Sequence, residues 1–144
     1  METLRLTKKD FKDIKDSCYK EYCGKQDVSD FDGNIEIESN LGYVRFNSIK
    51  AKGYIIAEAG SGIEAGWGIK AGTGIEAGWG IKAGLSITCK LSLNIFARIF
   101  AGLAIWKKSF DLTDEEKTIT CGKLENGEVC YGILKETGLP EERS

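Results

Sequence analysis

The segment GSGIEAGWGIKAGTGIEAGWGIKAG, residues 60–84, repeats a six-residue phrase whose second position switches between Glu and Lys. In a single frame the phrases open at Ala57, Ile63, Ile69, Ile75 and Ile81, and the frame runs on through Ile87, Leu93, Ile99 and Ile105. Every odd residue from Ile55 to Ile105 is apolar or small, Trp67 and Trp79 included, and is expected to point inward. The even residues are mostly Gly, Glu, Lys, Ser, Thr and Asn. Alternation with period two is the mark of extended chain with one buried face. A helix would need apolar residues three and four apart, and each interior glycine would cost it about 1 kcal/mol.

Strands seldom exceed about ten residues, so alternation this long needs a chain that turns repeatedly while keeping its inner face inward. Stacked coils meet that requirement, each laying a strand on the one before. The expected fold is mainly β: a parallel β-solenoid over residues 33–106 of a single domain, 1–144. An eighteen-residue coil sets Glu64 beside Lys82, a favourable cross-strand pair, whereas a twelve-residue coil would set Glu64 on Glu76. The spacing of Trp67 and Trp79 argues for twelve, and an antiparallel meander of hairpins obeys the same parity.

Upstream, Thr7 with Asp10 three residues on reads as a helix N-cap, and Phe11, Ile14, Cys18 and Tyr22 follow at three- and four-residue spacing. They predict an amphipathic helix over residues 8–22, inside an N-terminal cap of residues 1–32. Residues 34–38 and 43–46 read as strands around Asn40-Leu41-Gly42. Downstream, within 107–144, residues 118–124 and 128–134 flank Asn126-Gly127 and predict a C-terminal β-hairpin.

A chain of 144 residues supports one core, and a net charge of -2 makes nucleic acid a poor default partner. The most apolar stretch, 91–106, is interrupted by Asn94 and Arg98 before it could span a bilayer, so no membrane is expected and the compartment is read as cytoplasmic. Five cysteines without a CxxC pair, in a chain with no histidine, read as buried or incidental thiols, with no metal and no cofactor. Glu58, Glu64 and Glu76 alternate with Lys70 and Lys82 on the outer wall, where solvation is expected rather than a buried acid–base pair. No catalytic residue emerges, and the chain is expected not to be an enzyme.

Late in the repeat the outward positions turn apolar at Phe96, Phe100, Ala104 and Trp106, with Arg98 among them. Such a face needs covering, by the predicted hairpin or helix, by a second subunit or by a foreign protein. The candidate partner-binding residues are therefore Glu64, Lys70, Glu76 and Lys82 on the wall, with Phe96, Arg98, Phe100 and Trp106 on this face. Each also reads as an ordinary solvated or covered position.

The hexads resemble the left-handed parallel β-helix pattern, with an aliphatic residue first, Gly, Ala, Glu or Asp second, and a small residue fifth. Ile63-Glu64, Ile75-Glu76, Ser61 and Thr73 match it, while Lys70, Lys82, Trp67, Trp79 and Leu85 depart. That resemblance implies three hexads to a triangular coil. The acyltransferases and carbonic anhydrases of that fold work through histidine, which this chain lacks, so their activities do not carry over. The phrases GIEAGWGIKAG, LSITCK, IFARIFAGLAIW and TCGKLENGEVCYGIL resemble a group of small proteins carried by phages and mobile elements of Gram-positive gut bacteria. This second resemblance implies a non-enzymatic, anti-CRISPR-like inhibitor. It would occlude a host protein, such as a CRISPR effector or another defence protein, in the bacterial cytoplasm. The alternative is a self-associating structural solenoid, a homo-oligomer.

Overall fold

The computed structural model of the chain describes residues 2–14, 19–103 and 112–139. Strands β1 (Thr3–Leu6), β2 (Phe11–Asp13) and β3 (Lys20–Tyr22) come first, followed by β4 (Asn34–Ile37), β5 (Gly42–Phe46) and β6 (Ile49–Ala51). The repeat supplies β7 (Ile55–Ala57), β8 (Ser61–Ala65), β9 (Ile69–Ala71), β10 (Ile75–Ala77), β11 (Ile81–Ala83) and β12 (Ile87–Cys89). Then come β13 (Ser92–Ala101), β14 (Thr118–Cys121), β15 (Lys123–Tyr131) and β16 (Ile133–Glu136).

Every third strand of the repeat returns to the same stack, in parallel register. Ile35, Ile55, Ile75 and Leu93 align in the first stack. Val44, Ile63, Ile81 and Ile99 align in the second, and Ile49, Ile69, Ile87 and Ile119 in the third. Parallel pairing excludes the antiparallel meander. Later rungs step by eighteen residues, as Glu64 and Lys82 required, so their register is the one read from charge.

In most phrases the first three residues form strand and the glycine-containing remainder turns the corner, while the phrase opening at Ala57 also gives Ser61 and Gly62 to β8. Ile87-Thr-Cys-Lys-Leu-Ser still turns at Lys90-Leu91 without a glycine, but across Leu93-Asn-Ile-Phe-Ala-Arg, which also has none, the chain does not break. β13 runs on for ten residues, pairing with β10 through its first half and with β11 through its second. This one long strand joins the first two stacks into a curled eleven-stranded sheet, while the third stack forms a five-stranded sheet of its own.

The core is the column of inward Ile, Leu and Ala. Ile55, Ile63, Ile69, Ile75, Ile81, Ile87, Leu93, Ile95 and Ile99 are all essentially inaccessible to water. Burying each such side chain contributes about 1.5 to 3 kcal/mol. Ser61 is buried with its hydroxyl satisfied: Oγ accepts from Leu41 N at 3.1 Å and donates to the Glu38 carbonyl.

Three expectations need correction. Parity fails at the corners, where Trp67 and Trp79 are 54% and 44% exposed. An inward corner holds a small residue such as Ser61, and an indole is too large for it, so both rings turn outward. The expected N-terminal helix over 8–22 is absent from the described residues. Thr7 and Asp10 do form a capping contact, with the Thr7 N–H donating to Asp10 Oδ2 at 2.8 Å, but they close a single 3-10 turn, Lys8–Asp10. The chain then enters β2, which pairs antiparallel with β3, and β3 adds to the edge of β5. Phe11, Tyr22 and Phe46 meet as rings 5.3 to 5.8 Å apart, so the spacing read as a helical face serves an aromatic plug over the first rung. Edge pairing of backbone groups outcompetes a short isolated helix.

The C-terminal β-hairpin is likewise absent from the described residues. β14, β15 and β16 pair in parallel with β12, β13 and β14, continuing the three stacks. Asn126-Gly127 lies within β15, where Gly127 at φ 123° bends the strand to follow β13. A Cβ there would stand 2.7 Å from Ile99 Cδ1. The residue pair that favours hairpins is used as a kink.

Candidate functional site: an aromatic and cationic face

Register places two columns of outward side chains on the second stack. Arg45, Glu64, Lys82 and Phe100 follow one another across β5, β8, β11 and β13. Beside them, Tyr43 stands against Gly62. The sixth position of the phrase, glycine at Gly62 and Gly80, leaves a trough along which the Tyr43 ring lies. A Cβ on Gly62 would sit 2.8 Å from Tyr43 Cε1, and one on Gly80 would collide with the phenol oxygen. Tyr43 continues onto Trp79, stacked at 5.1 Å with 22° between planes.

Glu64 is flanked in register by Arg45 and Lys82 and engages Arg45. Its Oε1 accepts from Arg45 Nε at 2.9 Å and from Nη2 at 2.8 Å. Lys82 turns instead to aromatic groups. Its Nζ donates to Tyr19 Oη at 2.8 Å and lies 4.4 Å from the Tyr43 ring centroid, 5.3 Å from that of Tyr19 and 5.9 Å from that of Phe100. Arg45 Cζ lies 4.8 Å over the Tyr19 ring, so Tyr19 is held between two cations. Cation–π contacts of this kind contribute about 0.5 to 2 kcal/mol each.

Burial works against the Lys82 charge, but the Tyr19 hydrogen bond and the nearby tyrosines and Glu64 outweigh it, holding the pKa above the ordinary lysine value. Burial raises the Tyr43 phenol, with Lys82 opposing. Both groups therefore keep one protonation state across neutral pH. The face can offer hydrogen bonds, fixed charge and flat apolar surface. A groove of about 560 Å³ runs along it, lined by Tyr19, Arg45, Asn47, Glu64, Lys82 and Leu103.

Of the candidate residues, this face brings together Glu64, Lys82, Phe100 and Arg98, whose Nε is 4.0 Å from Glu128 Oε2. Phe96 is 80% exposed, at the bend of β13. Glu76 belongs to the first stack, between Ile56 and Asn94, and Lys70 to the third, between Lys50 and Thr88. The charge-alternating phrase is thus dealt out over separate stacks. Trp106 and Ala104 lie outside the described residues. Sequence reasoning missed Tyr19, Tyr43, Arg45 and Trp79. Arg45 and Tyr43 could have been found from the alternation within residues 43–46, where Val44 and Phe46 face inward and the odd positions outward, the reverse of the repeat's parity; Tyr19 had no such signal, inside a segment read as helix.

Among the described residues, no group of three His, Cys, Asp or Glu side chains is placed to hold a metal, and no helix is long and apolar enough to cross a membrane. Cys89 and Cys121 are buried, and burial pushes the Cys89 thiol up to about 12. Cys23 and Cys130 are exposed, and Cys18 lies outside the described residues. Comparison of the chain with protein-family models, with curated proteins and with solved structures gives no match.

Proposed function

We propose that the chain is a three-sided β-solenoid of the left-handed β-helix type that works as a non-enzymatic protein-binding module. Its class would be a phage-type, anti-CRISPR-like inhibitor that occludes a bacterial defence effector in the cytoplasm. The solenoid reading is supported by the three parallel stacks and the eighteen-residue step of the later rungs. The binding reading rests on one observation: aromatic rings and cations gather on a single stack, backed by a fully buried Ile and Ala core. Aromatic residues and Arg are the residue types enriched where proteins meet. The partner class rests on the sequence resemblance alone.

Tagged protein mixed with a lysate of a Gram-positive gut bacterium carrying active defence systems is expected to retain one defence effector in stoichiometric amount. The purified protein is then expected to block that effector's cleavage of target DNA. Trp79→Ser and Arg98→Glu should abolish both, and Lys70→Glu, on the third stack, should leave both intact. Recovery of nothing but the protein itself, as a defined oligomer, would overturn the inhibitor reading.

Self-assembly is the second reading, and a specific feature favours it. The last rung exposes Tyr131, Ile133 and Leu134, with Leu139 beside it, and among the described residues β16 pairs on one side only, with β14. An apolar rung with a free strand edge is a template for another chain.

A further inference from the structure

Basic side chains along the stacks are mostly answered by carboxylates. Arg5 meets Glu58 at 3.0 Å, Arg45 meets Glu64 at 2.8 Å, Lys50 meets Asp30 at 3.7 Å and Lys52 meets Asp32 at 3.6 Å. Lys70 and Lys90 form no such pair among the described residues, but both stand exposed in water. Lys82 does not: it is half-buried, and among the described residues no carboxylate forms an ion pair with it. Glu64, its neighbour in register, is committed to Arg45 on the other side.

An ammonium carries three donors, and the Tyr19 hydroxyl takes one. The neighbouring rings offer only π faces to the others. The second stack also carries a surplus of positive charge, Arg45, Lys82 and Arg98 standing against Glu64 and Glu128. The shortfall is a single carboxylate, and the groove runs past Lys82 in a setting where a charge-assisted hydrogen bond is stronger than in open water.

We propose that this groove takes an acidic segment of a partner protein, one Asp or Glu carboxylate of which accepts hydrogen bonds from the Lys82 ammonium while its flanking residues lie along Tyr19 and Leu103. The inference rests on the binding-module reading and gives its site a chemistry. A nucleic acid suits the groove less well, since its phosphates would need several cations and, among the described residues of this face, Arg45 is already paired with Glu64 and Arg98 with Glu128.

The test uses the full chain at low ionic strength with fluorescein-labelled octaglutamate, followed by anisotropy, and labelled single-stranded octathymidylate as the competing class. Octaglutamate is expected to bind saturably, and Lys82→Gln should weaken it about tenfold or more, the effect of losing a hydrogen bond to a charged group. Lys90→Gln, at an exposed lysine away from the groove, should change nothing. Should Lys82→Gln unfold, Lys82→Arg carries the test: it keeps the charge and must retain binding within about threefold, since a guanidinium also donates charge-assisted hydrogen bonds to a carboxylate. Equal binding by wild type and Lys82→Gln, failure of octaglutamate to bind, or tighter binding of octathymidylate would each overturn the proposal. Against an intact captured partner the two readings separate. Loss of capture in Trp79→Ser but not in Lys82→Gln ends the acidic-segment assignment alone; indifference to both changes ends the binding-module reading with it.

Discussion

At the scale of single residues, Lys82 shows how a position can be foreseen and its chemistry missed. The eighteen-residue step put Glu64 and Lys82 side by side, and they are so placed. Which partner Glu64 selects depended on Arg45, one rung earlier, and on Tyr19, whose approach no local pattern announces. The folded pKa of Lys82 lies above its ordinary 10.5, so the stability it contributes is complete below pH 10.5 and is lost as pH rises through the folded value. Tyr43, also raised, loses its burial advantage over the same alkaline range. Chemical denaturation as a function of pH should therefore show wild type losing stability above about pH 10.5 more steeply than Lys82→Gln, because the lysine and tyrosine titrations begin there. Parallel curves would mean that the ammonium is indifferent to folding. The cysteines give a second check. A thiol near pKa 12 is almost wholly protonated at neutral pH, so a maleimide should modify Cys23 and Cys130 while Cys89 resists until the protein unfolds.

At the scale of elements, the middle of the chain was legible and its two ends were not. From β7 to β12 one local rule, alternation closed by a glycine corner, coincides with the global one, and local and global preferences agree. At the N-terminus a capping pair and three- and four-residue spacing favoured a helix locally. The open edge of the first rung offered backbone pairing and an aromatic plug, and these prevailed. At the C-terminus Asn126-Gly127 carried a hairpin signal, but the open side of β13 offered β15 a full-length partner. Replacing Gly127 by Val should cost about 1 to 3 kcal/mol in urea denaturation, because the added side chain meets Ile99 and a β-branched residue resists positive φ. Ile75→Ala, inside the regular stack, should cost about 2 to 5 kcal/mol through the cavity it leaves. A negligible loss at Ile75 would contradict its place in the core column.

At the scale of the whole molecule, each rung rests on the one before, and the two ends differ in kind. The first rung is plugged by Phe11, Tyr22 and Phe46, whereas Ile133 and Leu134 of the last rung stand in solvent. If molecules associate through the stack, they should do so through the last rung. Ile133→Lys with Leu134→Lys should then hold the protein monomeric in light scattering at concentrations where wild type grows heavier. A wild type that is monomeric throughout would remove that route. The plugged end should be indifferent to the same test.

The mismatch between the twelve-residue duplication in the sequence and the eighteen-residue rung in space reaches to the coding tract itself. Trp67 and Trp79 are copies of one another in sequence, and Trp79 lies on Tyr43. A tract this repetitive is open to slippage during replication, and each lost or gained pair of hexads would preserve the inward parity while rotating everything downstream onto a different stack. Such a length variant would still be able to fold, and the Lys82 column would no longer continue Arg45 and Glu64. Only slips of three hexads, a whole turn, would lengthen the protein and leave its face intact.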